Sequence, residues 1–321
     1  MPHFGIQKSG LSAQYLIIIK PMKDAFETYL KVKSDFYFRE KSSLNEAIVY
    51  SLLAPGKRVR PLLSLGFAQG FGGNLEMAFT CGMAVEMIHA YSLIHDDLPA
   101  MDNDDFRRGR ATNHKVYGEA TAILAGDSLL NFAPEFLQKE LLSQNIDASK
   151  ILEVTNLLLK ASGFEGMVKG QALDMKFESE DLSKYEKNEL DSILREIHKL
   201  KTGSIITWSC VAGLYSHADS SLIKKYKCPV ESLGQRIGLL FQMVDDVQDK
   251  TATLAELGKT PGKDEKSGKL TYTNLHGLEG ATKLARDLAS DIRQDLEELS
   301  VLKGDWSLIS SILNGIEARL P

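Results

Sequence analysis

Apolar residues recur at intervals of three and four along most of the chain, and this spacing predicts helices over residues 44–54, 75–95, 116–143, 147–163, 187–215, 230–250, 279–300 and 306–319. No stretch alternates with period two, so no strand is predicted. Gly, Pro or charge clusters interrupt the pattern at "APGKRVRP", "GFGGN", "DLPAMDN", "FESEDLSKYEK" and "GKTPGKDEKSGK". Each break is short and bordered by strong helical pattern, so none reads as an inter-domain linker, and there is no tandem repeat. The expected architecture is all-α, a single helical bundle over residues 1–321 with a central cavity, and residues 1–20 form a loose N-terminal extension. Within that extension "LSAQYLIIIKP" holds too short an apolar run for a signal sequence or a membrane span and reads as the start of a first helix.

Composition narrows this only a little. The 321 residues include 38 basic and 43 acidic ones, a formal balance of -5, which gives no footprint of a nucleic-acid binder. Cys81, Cys210 and Cys228 are odd in number and widely spaced, so neither a disulfide framework nor a zinc site is expected, and a reducing cytoplasm suits them.

Charge is informative locally. Two apolar helical stretches each end in an Asp pair, "SLIHDDLPAMD" and "FQMVDDVQD". In the second, Gln242, Asp245, Asp246 and Asp249 fall at i, i+3, i+4 and i+7, one stripe beside the apolar row of Leu233, Ile237, Leu240, Phe241 and Val244. In the first, His89, Ser92 and Asp96 make a polar line on an apolar helix, and Asp102 would lie on another face if the helix continued. Pro99 can stop that helix and let the chain fold back, returning Asp102 to Asp96. Acidic groups at a helix C-terminus are disfavoured by about 0.3–1 kcal/mol each. Two carboxylates about 4 Å apart repel by about 1 kcal/mol in water and by about 4 kcal/mol at an effective dielectric near 20. Both motifs therefore call for cations, and donors that are all oxygen suit Mg²⁺ bridged to a phosphate-bearing substrate. A solvated acidic helix end is the plain alternative for either motif alone. A calcium loop led by Asp102 fails, since Phe106 and Arg107 stand where a ligand and a glycine are needed.

Cations stand where phosphate would suit them. Pro61 has the character of a first helical residue, which places Lys57, Arg58 and Arg60 at the positive end of a new helix. Arg107 and Arg108 follow the first acidic motif; neutralising Asp104 and Asp105 would be their plain role. "KLKTG" sets Lys201 and Thr202 before Gly203, where a helix can bend. Lys259, Lys263, Lys266 and Lys269 lie in a turn-rich stretch that could be a lid or a solvated loop.

Together, "GKRVRP", "MIHAYSLIHDDLPAMDNDDFRRGR", "AILAGDSLL", "GQALDM", "HKLKTG", "FQMVDDVQD" and "GKTPGKDEKSGKLTY" resemble the short-chain trans-prenyl diphosphate synthases, most closely the bacterial-type farnesyl diphosphate synthases, from about residue 44 to 300. The resemblance implies the isoprenoid-synthase helical bundle, usually a homodimer, condensing dimethylallyl or geranyl diphosphate with isopentenyl diphosphate. It further implies that Asp96, Asp97 and Asp102, with Asp245, Asp246 and Asp249, the latter two through water, hold about three Mg²⁺ on the allylic diphosphate. Arg107, Lys201 and Lys259 would complete that clamp, Thr202 and Gln242 would face the allylic cation, and Lys57, Arg60, His89 and Arg108 would hold isopentenyl diphosphate. Tyr91, with Ser92 about 6 Å below Asp96, would obstruct a growing chain and favour a farnesyl product over a geranyl or geranylgeranyl one.

Some positions depart from the family pattern: "PGKR" replaces a Gly-Gly before the lysine, Val244 stands where glutamine is frequent, Gln248 replaces an aliphatic residue, and the end "IEARLP" lacks a basic tail. A class I terpene cyclase would usually replace the second Asp motif, a non-catalytic subunit would have lost acidic motifs, and a plain cation-binding protein would need no Lys57, Arg60 or Arg107. No GxSxG or other nucleophile signature occurs.

Overall fold

The computed structural model describes residues 15–251, 269–300 and 304–321. A π-helical turn, Tyr15–Ile19, leads into α1 (Lys20–Tyr37), followed by α2 (Ser43–Leu52), α3 (Val59–Phe71) and α4 (Leu75–Asp96). After a two-stranded hairpin, β1 (Phe106–Arg107) and β2 (Arg110–Ala111), come α5 (Asn113–Tyr117), α6 (Glu119–Ser143), α7 (Ala148–Ser162) and α8 (Met167–Ser179). α9 (Lys187–His198) runs through a π-helical segment, Lys199–Gly203, into α10 (Ser204–Tyr215); α11 (Ser220–Thr251), α12 (Tyr272–Ser300) and α13 (Ser307–Glu317) complete the bundle.

Local chemistry sets many of these boundaries. Asn74 Oδ1 accepts from the amides of Glu76 and Met77 at 2.8 and 3.2 Å and starts α4. Ser42 and Asp147 cap α2 and α7 in the same way, and Glu186 and Glu189 form a reciprocal cap on α9. α4 is apolar nearly all round, as a helix in the centre of a bundle must be. It packs between α6 and α3; α3 packs in turn on α10, α10 on α11, and α11 on α12. By length and hydropathy α4 could cross a membrane, but 78% of its apolar window is buried against these neighbours.

The all-α expectation holds apart from the hairpin, whose strands pair Phe106 with Ala111 and Arg107 with Arg110. Two residues per strand are too few to show an alternation. Pro61 is the third residue of α3, not the first. The expected helix over 116–143 is broken at Gly118, which sits at φ 84°. α8 escaped prediction; α11 begins at Ser220 and α12 at Tyr272, both earlier than expected, with α12 kinked at Gly277. Residues 1–14 of the expected loose extension lie outside the described residues, but 15–20 are helical, and Ile18 and Ile19 pack on the core.

Candidate active site

A cleft of about 830 Å³ opens between α3, α4, α8, α11 and the π-helical segment, and both acidic motifs reach it. Asp96 is the last residue of α4. The helix stops at the expected place, and the turn through Pro99 brings the Asp102 amide back to donate to the Asp96 carbonyl at 2.8 Å. Burial, only partly offset by Lys201, and then the neighbouring Asp102 and Asp97 raise the Asp96 carboxyl to about 6. Asp102 is raised as well, chiefly by burial. Asp97 turns to the hairpin, where Arg107 donates from Nε and Nη2 at 2.7 and 2.6 Å. Burial works against the Arg107 charge, but that pair outweighs it and holds its pKa up. Tyr50 donates to the Ala111 carbonyl at 2.8 Å and Asn113 to the Ala47 carbonyl at 2.8 Å, so the hairpin carrying both arginines is pinned to α2.

Across the cleft, Gln242, Asp245 and Asp249 of α11 line the wall as their spacing predicts. Asp246 does not share it equally: its Oδ2 accepts the Tyr272 amide at 2.8 Å and so caps the start of α12. The Thr202 hydroxyl donates to Gln242 Oε1 at 2.5 Å. The segment bearing Lys201 and Thr202 lies close to its neighbours because glycines allow it. A Cβ on Gly170 would sit 2.1 Å from the Lys201 nitrogen, and one on Gly238 would sit 2.6 Å from the Gly203 Cα.

A group of cations shares this cleft, and Asp245 is among the charges that act on Lys57 and Arg60. Lys57, Arg60, His89 and Arg108 all line the cleft. Burial lowers the pKa of Lys57, Arg60 and Arg108, and in each case nearby cations add to it. Arg60 Nε is buried without a hydrogen-bond partner among the described residues. His89 is pushed well below the usual histidine range by burial and then by Arg60, Arg108, Arg107 and Arg58, so it is neutral at pH 7. Glu86 is the chief carboxylate opposing the shift at Arg60 and Arg108, but it is already bound to Arg58, so this group of cations suits an added anion.

Two residues with no role assigned from the sequence also bear on the site. Asp174 accepts from Lys201 at 2.5 Å and from Lys269 at 3.3 Å, and these partners outweigh burial and hold its pKa down. Arg319 pairs with Asp245 at 2.8 Å and with Gln248 Oε1 at 2.7 Å, and its guanidinium lies over Phe241. "GQALDM" contains Asp174, but nothing local marks its role; Arg319 comes from a C-terminus that lacks a basic run. Tyr91 and Ser92 line the cleft below Asp96. The Tyr91 hydroxyl points to the Ser162 carbonyl at 3.5 Å, and its ring stands edge-on to His95. Lys259, Lys263 and Lys266 lie outside the described residues.

These donors fit a hard divalent cation. Asp96, Asp102, Asp245 and Asp249 offer oxygen alone, and among the described residues no three such side chains gather closely enough to hold a metal unaided, which suits a cation that keeps waters and shares its ligation with substrate phosphate.

The sequence matches the polyprenyl synthetase family over residues 41–304. It is 44% identical over 264 residues to a farnesyl diphosphate synthase of Micrococcus luteus, covering 82% of this chain and 86% of the relative. It is also 44% identical over 260 residues to a chloroplastic geranylgeranyl pyrophosphate synthase of Capsicum annuum, covering 81% of this chain and 67% of the relative. The crystal structure of a Helicobacter pylori geranyltransferase complexed with magnesium and isoprenyl diphosphate superposes with a TM-score of 0.74 at 32% identity, covering 98% of each chain.

Proposed function

We propose that this chain, which belongs to the polyprenyl synthetase family, is a trans-prenyltransferase that joins dimethylallyl or geranyl diphosphate head to tail with isopentenyl diphosphate, giving farnesyl diphosphate and free diphosphate. The observation that carries this reading is one cleft that brings the acidic residues Asp96 and Asp245 together with a buried group of cations around Arg60. Two diphosphates need such different seats when one must leave and the other must stay.

Lys201, held in place by Asp174, and Arg107, held by Asp97, face the allylic diphosphate; the family resemblance assigns Lys259, outside the described residues, to the same ligand. Magnesium, about three ions per site, held by Asp96, Asp102 and Asp245 and more remotely by Asp97, Asp246 and Asp249, would supply the positive charge that diphosphate needs in order to depart. When the allylic C–O bond breaks, both bonding electrons leave with the diphosphate. The Thr202 hydroxyl donates its hydrogen bond to Gln242, so its oxygen keeps lone pairs to turn toward the developing allylic cation. Lys57, Arg60 and Arg108 hold isopentenyl diphosphate, and neutral His89 adds a hydrogen bond without adding charge. The double bond of isopentenyl diphosphate then attacks the cation, a new C–C bond forms, and a proton passes to the departed diphosphate. No protein nucleophile takes part.

Tyr91 lies 5% exposed beneath Asp96 and favours a C15 product. A C20 product is the competing reading, favoured by the equal identity to the Capsicum annuum enzyme. Free cysteines suit a cytoplasmic site. A homodimer, in which each chain is one domain, would cover the exposed side chains of Ile123 and Leu124 on α6.

Isothermal titration tests the two seats. Isopentenyl diphosphate should bind the wild type without Mg²⁺ and bind the Arg60→Ala variant at least about tenfold more weakly. An allylic analogue should require Mg²⁺. Absence of isopentenyl diphosphate binding would refute the cationic seat.

A further inference from the structure

Arg58 stands between Lys57 and Arg60 in sequence and borders the same cleft, but its guanidinium is committed elsewhere. Its side chain is 2% exposed. Nε donates to Glu27 Oε1 at 2.9 Å, Nη1 to Glu86 Oε1 at 2.5 Å, and Nη2 to Glu27 Oε2 at 3.2 Å and to the Ala54 carbonyl at 2.9 Å. A guanidinium has five N–H groups, and these four bonds leave too few to grip a diphosphate with its fork. Arg60, by contrast, has a buried Nε without a hydrogen-bond partner among the described residues.

The backbone of Arg58 is left-handed, at φ 52° and ψ 35°, a conformation disfavoured for a residue with a side chain unless its surroundings hold it. That reversal starts α3, where the Leu62 amide donates to the Arg58 carbonyl at 3.1 Å, and it lets Lys57 and Arg60 both reach the cleft. The same loop seats a third cation: Arg108 Nη1 donates to the Pro55 carbonyl at 2.9 Å, and a Cβ on Gly56 would lie 2.7 Å from that nitrogen. Glu86 stands one turn before His89 on α4, and Glu27 stands on α1. One guanidinium therefore ties the 54–60 turn to two helices.

We propose that Arg58, with Glu27 and Glu86, is a positioning residue for the isopentenyl diphosphate seat: it spends its charge on two glutamates to hold a strained turn, so that Lys57, Arg60 and Arg108 converge without itself touching substrate. The inference rests on the cationic seat proposed above. A surplus arginine among so many like charges would otherwise add repulsion; here two carboxylates cancel it.

Steady-state kinetics of Arg58→Lys and Glu27→Gln test this, because lysine keeps the charge without the fork and Glu27, which is partly exposed, can lose its charge with little risk to folding. Both variants should raise KM for isopentenyl diphosphate by about tenfold or more, with KM for the allylic substrate within about twofold and kcat at saturation within about threefold. Equal changes in both KM values, or an unchanged isopentenyl diphosphate KM in Glu27→Gln, would overturn the proposal. An Arg60→Ala control separates the two levels. If it too leaves isopentenyl diphosphate binding intact, the seat itself is wrong; if it alone weakens binding, only the role of Arg58 falls.

Discussion

The amide of Asp102 donates to the carbonyl of Asp96 at 2.8 Å, so two aspartates six positions apart lie side by side where a continuous helix would have set them on different faces. The turn that joins them also sends Asp97 to Arg107, so one short stretch supplies acid to the cleft and anchors a cation beside it.

Crowding at Asp96 predicts a trade between stability and activity. Its carboxyl is raised to about 6, so at pH 8 the folded protein holds a charge that the unfolded chain would hold more easily. Asp96→Asn should stabilise the metal-free protein by about 1 kcal/mol, a Tm rise of about 2 °C at this chain size, while turnover falls by more than about 100-fold. Calorimetry and a turnover assay on one preparation check this, and near-normal turnover would remove Asp96 from the mechanism.

Asp245→Ala should lower turnover to a similar degree with little change in melting, because its side chain is 48% exposed and its partner Arg319 keeps its bond to Gln248. Asp246→Ala should differ. Its carboxylate caps α12 through the Tyr272 amide, and its loss should cost about 1 kcal/mol of stability in addition to any loss of activity. Urea denaturation of the two variants separates them.

That contrast shows how far the sequence could be read. Helical periodicity puts Gln242, Asp245, Asp246 and Asp249 on one stripe, and Pro99 foretells the reversal at Asp102; both are local and both hold. The diversion of Asp246 depends on where α12 begins, and the pairing of Arg319 with Asp245 spans more than seventy residues, so neither leaves a local trace. Asp174 is legible as an acidic residue in "GQALDM", but neither its helix nor its role as the anchor of Lys201 is. The hairpin strands are too short for an alternation to show. Just before α3, the positive φ of Arg58 is held by tertiary ion pairs, with no glycine to announce it.

His198 gives a pH dependence. Burial, with Lys269 and Lys201 adding to it against the pull of Asp174, lowers its pKa to about 4. A histidine depressed in the folded state contributes stability above its unfolded pKa and loses it as pH falls toward the folded value. Between pH 7 and 5 the unfolded chain takes up a proton that the native protein refuses, at a cost of about 2 kcal/mol. Urea titrations at the two pH values should show a loss smaller by about 2 kcal/mol in His198→Phe than in the wild type, with the depressed His89 contributing to what remains in both; equal losses would assign it to other groups.

Tyr91 sets the floor. Tyr91→Ala should shift the product from C15 to C20 or longer, because its ring fills the cleft below Asp96. Chromatography of the dephosphorylated alcohols reads the length, and an unchanged C15 product would discard the floor.

Incubation of the purified protein with dimethylallyl and isopentenyl diphosphates, with Mg²⁺ and again with a chelator, followed by mass analysis of the products, tests the central claim most directly. The predicted result is farnesyl diphosphate with inorganic diphosphate in the presence of Mg²⁺ and neither with the chelator. Recovery of both substrates unchanged under both conditions would contradict the assignment.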